Sequence, residues 1–319
     1  SVFRIWARKL KSLGIHKISG DILGDGSSFE RSNLGQGWAW DDLTEGYAAP
    51  VSALQFNENR LWLEIVPRGK PGAPPTVRLL PLPLYWIVEN RLIIGTKSDT
   101  TKIEIERTGT DDSIIVRGIV SPNSPAIIRA VAVTDPVQWY LTAFKNTLEE
   151  EGIQVSACRI LESNGTVTTS LMSLETHRSP PLSEIIKPLL KDSLNLYAET
   201  VTRALGMELN EKGSFAAGKE IVEETLGGMA VDTGRYSYAD GSGLSRLNLV
   251  SPEALVRILR SVYCHPSFPY FYEALPVAGV EGTLENRLKG TRAENNLRAK
   301  TGSLSRVSAI SGYITTIDG

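Results

Sequence analysis

Lys191-Asp192-Ser193-Leu194-Asn195-Leu196-Tyr197-Ala198-Glu199 joins a polar triplet to the start of a periodic apolar pattern. Leu194, Tyr197, Val201 and Leu205 recur at helical spacing, so residues 193–209 are predicted to form a helix that opens on a serine. Two explanations of Ser193 stand side by side. Its hydroxyl can cap the helix by accepting a backbone N–H of the first turn, which accounts for a serine at that place without any chemistry. Alternatively, Ser193-x-Asn195 is a reactive triplet whose outer residues face a cleft.

A second short motif, Lys300-Thr301-Gly302-Ser303, lies on a predicted strand near the end of the chain. Residues 297–304 and 307–314 read as two strands, expected to pair antiparallel. Serine acyl-transfer enzymes that use lysine in place of histidine carry S-x-x-K, S-x-N and K-T-G. The residue types follow from the reaction. A serine hydroxyl attacks only after a base takes its proton. Burial and positive neighbours can lower a lysine pKa enough for that task. A second hydroxyl returns a proton to the leaving amine, and an amide side chain holds the substrate peptide bond. A K-T-G strand can receive the substrate backbone as an added strand, with glycine permitting close approach. A solvated strand entering a turn is the plainer explanation of Lys300-Thr301-Gly302.

Outward from these motifs the chain changes character. Residues 2–14 read as an amphipathic helix with Val2, Ile5, Trp6, Leu10 and Leu13 at helical spacing, and residues 17–29 as a strand and turn broken at Gly24 and Gly26. Trp38-Ala39-Trp40-Asp41-Asp42 is an aromatic and acidic loop, fit either for packing or for binding. Residues 53–133 are strand-rich. Leu61, Leu63 and Ile65 alternate with Trp62, Glu64 and Val66, Ile103 and Ile105 with glutamates, and Ile114 to Val120 form an apolar run. Pro and Gly cluster between them, as in a β-rich module. At Asp135-Pro136 a capped helix begins, with Val137, Tyr140, Leu141, Phe144 and Leu148 on one face. Ser251-Pro252 opens another, with Leu255, Ile258, Leu259 and Val262 inward. The expected division is a β-rich region over 1–133 and a second, mostly helical domain over 134–319.

The bulk numbers exclude several classes. With 319 residues and 41% hydrophobic content the chain can bury more than one core. A net charge of −2 leaves no basic excess for nucleic acid. No apolar run approaches the roughly 18 residues of a membrane helix. Cys158 and Cys264 match no metal motif or disulfide framework and are expected to be small buried residues. His16, His177 and His265 are scattered. Gly241-Ser242-Gly243 lacks the G-x-S-x-G elbow spacing, which argues against a Ser-His-Asp hydrolase. The chain starts at Ser1 without an export signal, and Asp318-Gly319 reads as the opening of a hairpin turn, so truncation is expected at the C-terminus and is compatible with the N-terminus.

Ser179-Pro180-Pro181-Leu182-Ser183-Glu184-Ile185 leading into Ser193 to Glu199 closely resembles the middle of the class C low-molecular-mass penicillin-binding proteins, D-alanyl-D-alanine carboxypeptidases with endopeptidase activity. Asp240-Gly241-Ser242-Gly243-Leu244-Ser245-Arg246, residues 46–54 (Gly46-Tyr47-Ala48-Ala49-Pro50-Val51-Ser52-Ala53-Leu54) and Ile18-Ser19-Gly20-Asp21-Ile22 resemble further segments of that family, in family order. The resemblance implies an α+β fold: a serine β-lactamase/transpeptidase-like domain from about residue 134, with inserted β-rich modules before it. It implies a stem-peptide D-Ala-D-Ala end or cross-link of peptidoglycan as substrate, β-lactams as inhibitors, an acyl-enzyme, no metal or cofactor, and a periplasmic or extracytoplasmic location. It implies that Ser193 relays protons to the leaving group, Asn195 holds the substrate amide and Lys300 supplies positive charge beside the serines. Thr301 and Ser303 would bind the terminal carboxylate, and the Ser303 N–H would donate to the oxyanion. Leu194 stands where the family commonly has aspartate. No serine in the chain has a lysine three residues on; Ser98–Lys102 and Ser183–Lys187 are four apart. A compact β-lactamase, with its first two motifs in near succession, is therefore excluded. An inserted-module carboxypeptidase with its S-x-x-K upstream is expected, and a non-catalytic peptide-binding protein on the same scaffold is the alternative.

Overall fold

The structure, a computed structural model, describes residues 1–81, 86–107, 112–161 and 171–317. The expected turn at Asp318-Gly319 lies outside the described residues. Two compact units are formed, one from Ser1–Ser27 with Ala39–Leu171, the other from Ser28–Trp38 with Met172–Gly319. The pattern change at residue 134, expected to mark a boundary, falls inside the first unit.

In the first unit a helix α1 (Val2–Ser12) precedes strand β1 (Lys17–Gly24). Six strands follow: β2 (Arg60–Val66), β3 (Thr76–Leu80), β4 (Ile87–Ile94), β5 (Lys102–Arg107), β6 (Ser113–Val120) and β7 (Ile127–Ala132). Helix α2 (Pro136–Glu150) and strand β8 (Gln154–Ile160) close it. The sheets run β3-β2-β7 and β4-β6-β5, and β1 pairs with β8 in parallel. Period-two alternation in β2 puts Leu61, Leu63 and Ile65 wholly inside, against Trp86, Leu92, Ile114, Val116 and Trp139. Asp135 caps α2, its carboxylate accepting the N–H groups of Val137 and Gln138 at 2.9 and 3.0 Å. A second cluster of Ala7, Leu148, Ile153 and Val155, with Leu10, Ile18 and Phe144 packed on it, joins α1 and α2 to the parallel pair. The buried face of α1 is thus Phe3 and Ala7, while Ile5 and Leu13, expected on the apolar stripe, are exposed.

The second unit is mostly helical. It contains α3 (Leu182–Lys191), α4 (Asn195–Asn210), α5 (Phe215–Gly228), a short ribbon β9 (Tyr236–Ser237) with β10 (Leu249–Val250), α6 (Pro252–Tyr263), α7 (Phe268–Ala274) and the strands β11 (Arg298–Leu304) and β12 (Val307–Tyr313). Helices α4 and α5 meet at backbone distance. A Cβ at Gly218 would lie 1.9 Å from the Thr202 carbonyl oxygen, so only glycine permits this crossing. Strands β11 and β12 pair antiparallel, with Lys300 opposite Ser311 and Gly302 opposite Ala309. Tyr313 on β12 is clasped by Tyr263, Phe268 and Tyr272, and its hydroxyl donates to the Leu259 carbonyl at 2.7 Å. Leu255, Ile258, Leu259 and Val262 of α6 are partly buried, in line with the pattern. Cys264, expected to be buried, is exposed at the end of α6. No described helix is long and apolar enough to cross a membrane.

Candidate active site

Helix α4 begins at Asn195, two residues later than the apolar pattern predicts, and Ser193 does not cap it. The capping position is Leu194, which makes no side-chain cap bond. Ser193 belongs instead to the exit of α3. Asp192 ends that helix, Ser193 has φ +57, and the Leu194 N–H donates to the Leu189 carbonyl at 3.2 Å. This is the left-handed position past a helix end that glycine normally takes, because a Cβ is disfavoured there. A serine held in that conformation has a reason other than local backbone preference.

The reason lies 107 residues along the chain. The Lys300 ammonium donates to Ser193 Oγ at 2.7 Å and to its own neighbour's carbonyl, Thr301 O, at 2.6 Å. Lys300 is partly buried, and desolvation lowers its pKa from the ordinary 10.5. The explanation of Ser193 as a helix cap is therefore ruled out, and Ser193, which immediately precedes the capping residue of α4, meets Lys300 of β11. Asn195 is the first residue of α4 and partly buried. Gly302 and Ser303 are exposed on β11. A Cβ at Gly302 would meet only Ala309 Cβ, at an ordinary 3.6 Å, so packing within the chain does not demand glycine there. Beyond the isolated bridge Val277–Arg298, β11 has β12 as its strand partner among the described residues.

One residue of this cluster carries no motif. The Thr301 hydroxyl donates to Thr283 Oγ1 at 2.8 Å. Thr283 sits in a tight turn, Gly282–Leu284, whose only sequence signal is a glycine next to it. The segment Asp240 to Arg246 is wound around one carboxylate. Asp240 is buried and accepts the N–H groups of Gly243 and Ser245 at 2.7 and 2.6 Å, the Asn248 amide at 2.6 Å and the Trp38 indole at 2.8 Å. Ser242 therefore belongs to a structural turn, and Trp38 is a packing residue. Glu199 on α4 is fully buried; it accepts the Ser242 N–H at 2.9 Å and pairs with Arg203 at 3.1 Å. Burial, then the Asp240 charge, push its pKa up, against the Ser242 bonds and Arg203. An open groove lined by Met229, Val256, Arg257 and Arg260 contains none of the expected site residues. No group of His, Cys, Asp and Glu able to hold a metal occurs among the described residues.

With this geometry in hand, comparison with known proteins is specific. The chain is 32% identical over 324 residues to a D-alanyl-D-alanine carboxypeptidase of Actinomadura sp. strain R39, covering 98% of this chain and 60% of that protein. It is 33% identical over 295 residues to the penicillin-sensitive carboxypeptidase A of Dictyostelium discoideum, covering 88% of this chain and 55% of that protein. The crystal structure of penicillin binding protein 4 (dacB) from Haemophilus influenzae superposes with a TM-score of 0.84 at 27% identity, covering 99% of this chain and 70% of that one. The fold is thus the α+β, transpeptidase-like one expected. The chain spans only 55 to 60% of the length of the first two relatives. Residues 3–319 match the profile of the D-Ala-D-Ala carboxypeptidase 3 (S13) family, and the chain belongs to that family.

Proposed function

We propose that this chain supplies the substrate-binding part of a serine-type D-Ala-D-Ala carboxypeptidase, working from the outer side of the cytoplasmic membrane on peptidoglycan stem peptides and, by the same chemistry, on their peptide cross-links. The observation that carries the reading is the 2.7 Å contact between the Lys300 ammonium and Ser193 Oγ, made across 107 residues by a serine in a strained backbone position. A surface strand would leave its lysine to water, and a capping serine would face its own helix.

The roles follow from the chemistry. A serine of an S-x-x-K segment outside these 319 residues attacks the carbonyl of the penultimate D-Ala. A C–O bond forms, the C–N bond breaks, and the proton removed from the serine reaches the departing amine through Ser193 Oγ. Lys300 keeps that route under positive charge and stabilises the developing negative charge. Asn195 holds the amide of the substrate. The edge of β11 away from β12, beyond the Val277–Arg298 bridge, receives the peptide as an added strand, with Gly302 leaving room, and Thr301 and Ser303 take the terminal carboxylate. The Ser303 N–H donates to the oxyanion. Water then releases the acyl group. A β-lactam enters the same path and remains as the acyl adduct. The names of the two relatives, a D-alanyl-D-alanine carboxypeptidase and a penicillin-sensitive one, support this assignment.

The test is covalent labelling. The full-length gene product is expected to retain labelled penicillin through denaturation, and a polypeptide of residues 1–319 is expected to retain none. Labelling of the short polypeptide would overturn the assignment of an outside nucleophile. A full-length product that binds stem peptide without ever acylating would instead establish a non-catalytic binding protein.

A further inference from the structure

Thr283 lies in a turn that reaches both halves of the site. Gly282 has φ +66, and a Cβ on it would sit 2.7 Å from the Lys191 carbonyl oxygen, so the turn presses on the end of α3 two residues before Ser193. Glu281 pairs with the Lys191 ammonium at 2.8 Å. On the other side Val277 bridges to Arg298 at the start of β11, and Leu284 is fully buried. The Gly279 N–H donates to the Leu284 carbonyl at 3.0 Å and closes the loop on itself. Thr283 itself is exposed, with its hydroxyl against Thr301.

A hydroxyl has one proton to give. In the structure the Thr301 hydroxyl is directed at Thr283 Oγ1, 2.8 Å away. A carboxylate can only accept, so Thr301 must turn that proton outward before it can bind one. Thr301 Oγ1 then needs no new neighbour, because Thr283 can rotate its own hydroxyl and donate to it across the same 2.8 Å. The result is a chain in which Thr283 donates to Thr301 and Thr301 donates to the carboxylate, each bond polarising the next. No heavy atom moves. The geometry points to Thr283 as a positioning residue that turns the Thr301 proton toward a ligand's carboxylate, and so favours ligands with a free carboxyl end over the same ligands without one. This rests on the assignment of Thr301 to carboxylate binding made above.

The experiment uses the full-length protein and two probes, benzylpenicillin and its methyl ester, and reads the ratio of their acylation rate constants. Thr283→Val keeps the shape and removes the hydroxyl. It is expected to lower the ratio about tenfold, the effect of one lost hydrogen bond in a charged network, and Thr283→Ser is expected to restore it. Because Thr283 acts through Thr301, Thr301→Val with Thr283→Val together should lower the ratio no further than Thr301→Val alone. An unchanged ratio in Thr283→Val, an equal loss on both probes, or additive losses in the double variant would each overturn the inference. The same series separates this from the wider reading: a full-length protein that never takes the label removes the acyl-enzyme mechanism and the Thr283 role with it, whereas one that labels normally with an unchanged ratio in Thr283→Val removes the Thr283 role alone.

Discussion

Lys300→Ala in the full-length protein is expected to cut penicillin acylation by roughly 100- to 1000-fold, the range found when one preorganised donor to a developing charge is removed. The ammonium is placed by β11 and partly shielded from water, and Ser193 Oγ accepts from it directly. Without it, Ser193 loses the ammonium that contacts its Oγ and favours the proton transfer. The pH dependence gives an independent check. Burial lowers the Lys300 pKa from 10.5, so the unfolded chain holds this proton at pH values where the folded one has released it. Stability contributed by this group therefore rises with pH between the folded value and 10.5, and is flat outside that window. Activity runs the opposite way, since the neutral amine carries no charge: acylation should fall on the alkaline side at a pH below the ordinary lysine range. An alkaline limb at or above 10.5, or a Lys300→Ala protein that labels at the normal rate, would remove Lys300 from the mechanism.

Much of this architecture is legible in the residues. The alternation around Leu61, Leu63 and Ile65 names the face of β2 that is fully buried, because strand periodicity and burial report the same thing. Asp135-Pro136 marks the start of α2 correctly, since capping is a local interaction. The pair β11 and β12 is legible for the same reason, being joined by a short turn. What escapes is non-local. The parallel pairing of β1 with β8 joins segments on either side of the β-rich strands, and nothing in either strand announces its partner. The assignment of residues 28–38 to the second unit is equally silent. In the candidate site, the motifs single out Ser193 and Lys300, which the structure brings into contact, but the left-handed backbone of Ser193 is not legible, because a serine before a helix suggests a cap. Thr283 has no motif at all; it is found only because its hydroxyl meets that of Thr301 across 18 residues of chain.

The apolar pattern also misplaces the inner face of α4, and the error exposes a buried ion pair on that helix. Leu194, Tyr197, Val201 and Leu205 are only partly buried, whereas Leu196, Glu199, Thr202, Arg203 and Gly206 face inward. A hydrophobicity scan assigns Glu199 and Arg203 to the surface; they are 0 and 2% exposed and neutralise each other one turn apart. Arg203 also lies 3.3 Å from the Glu30 carboxylate and donates to the Ser32 carbonyl at 3.3 Å, while Glu199 holds the Ser242 N–H. Arg203→Met keeps much of the volume and strands Glu199 in the interior beside Asp240. It is expected to lower the stability of the second unit by about 3–5 kcal/mol, the cost of breaking a buried pair from one side. The pH dependence has a definite sign. Glu199 already has a raised pKa, from burial first and Asp240 second, and loss of the Arg203 charge raises it further. The penalty is therefore full above the new folded value and shrinks as pH falls toward the unfolded value of 4.5, because the carboxyl protonates. Glu199→Gln added to Arg203→Met should recover part of the loss, a coupling that independent sites would not show. Thermal or urea unfolding followed at neutral and mildly acidic pH measures all three. A loss below about 1 kcal/mol, the scale of an exposed pair, or one independent of pH would mean that this ion pair does not hold α4, and with it Asn195, in place.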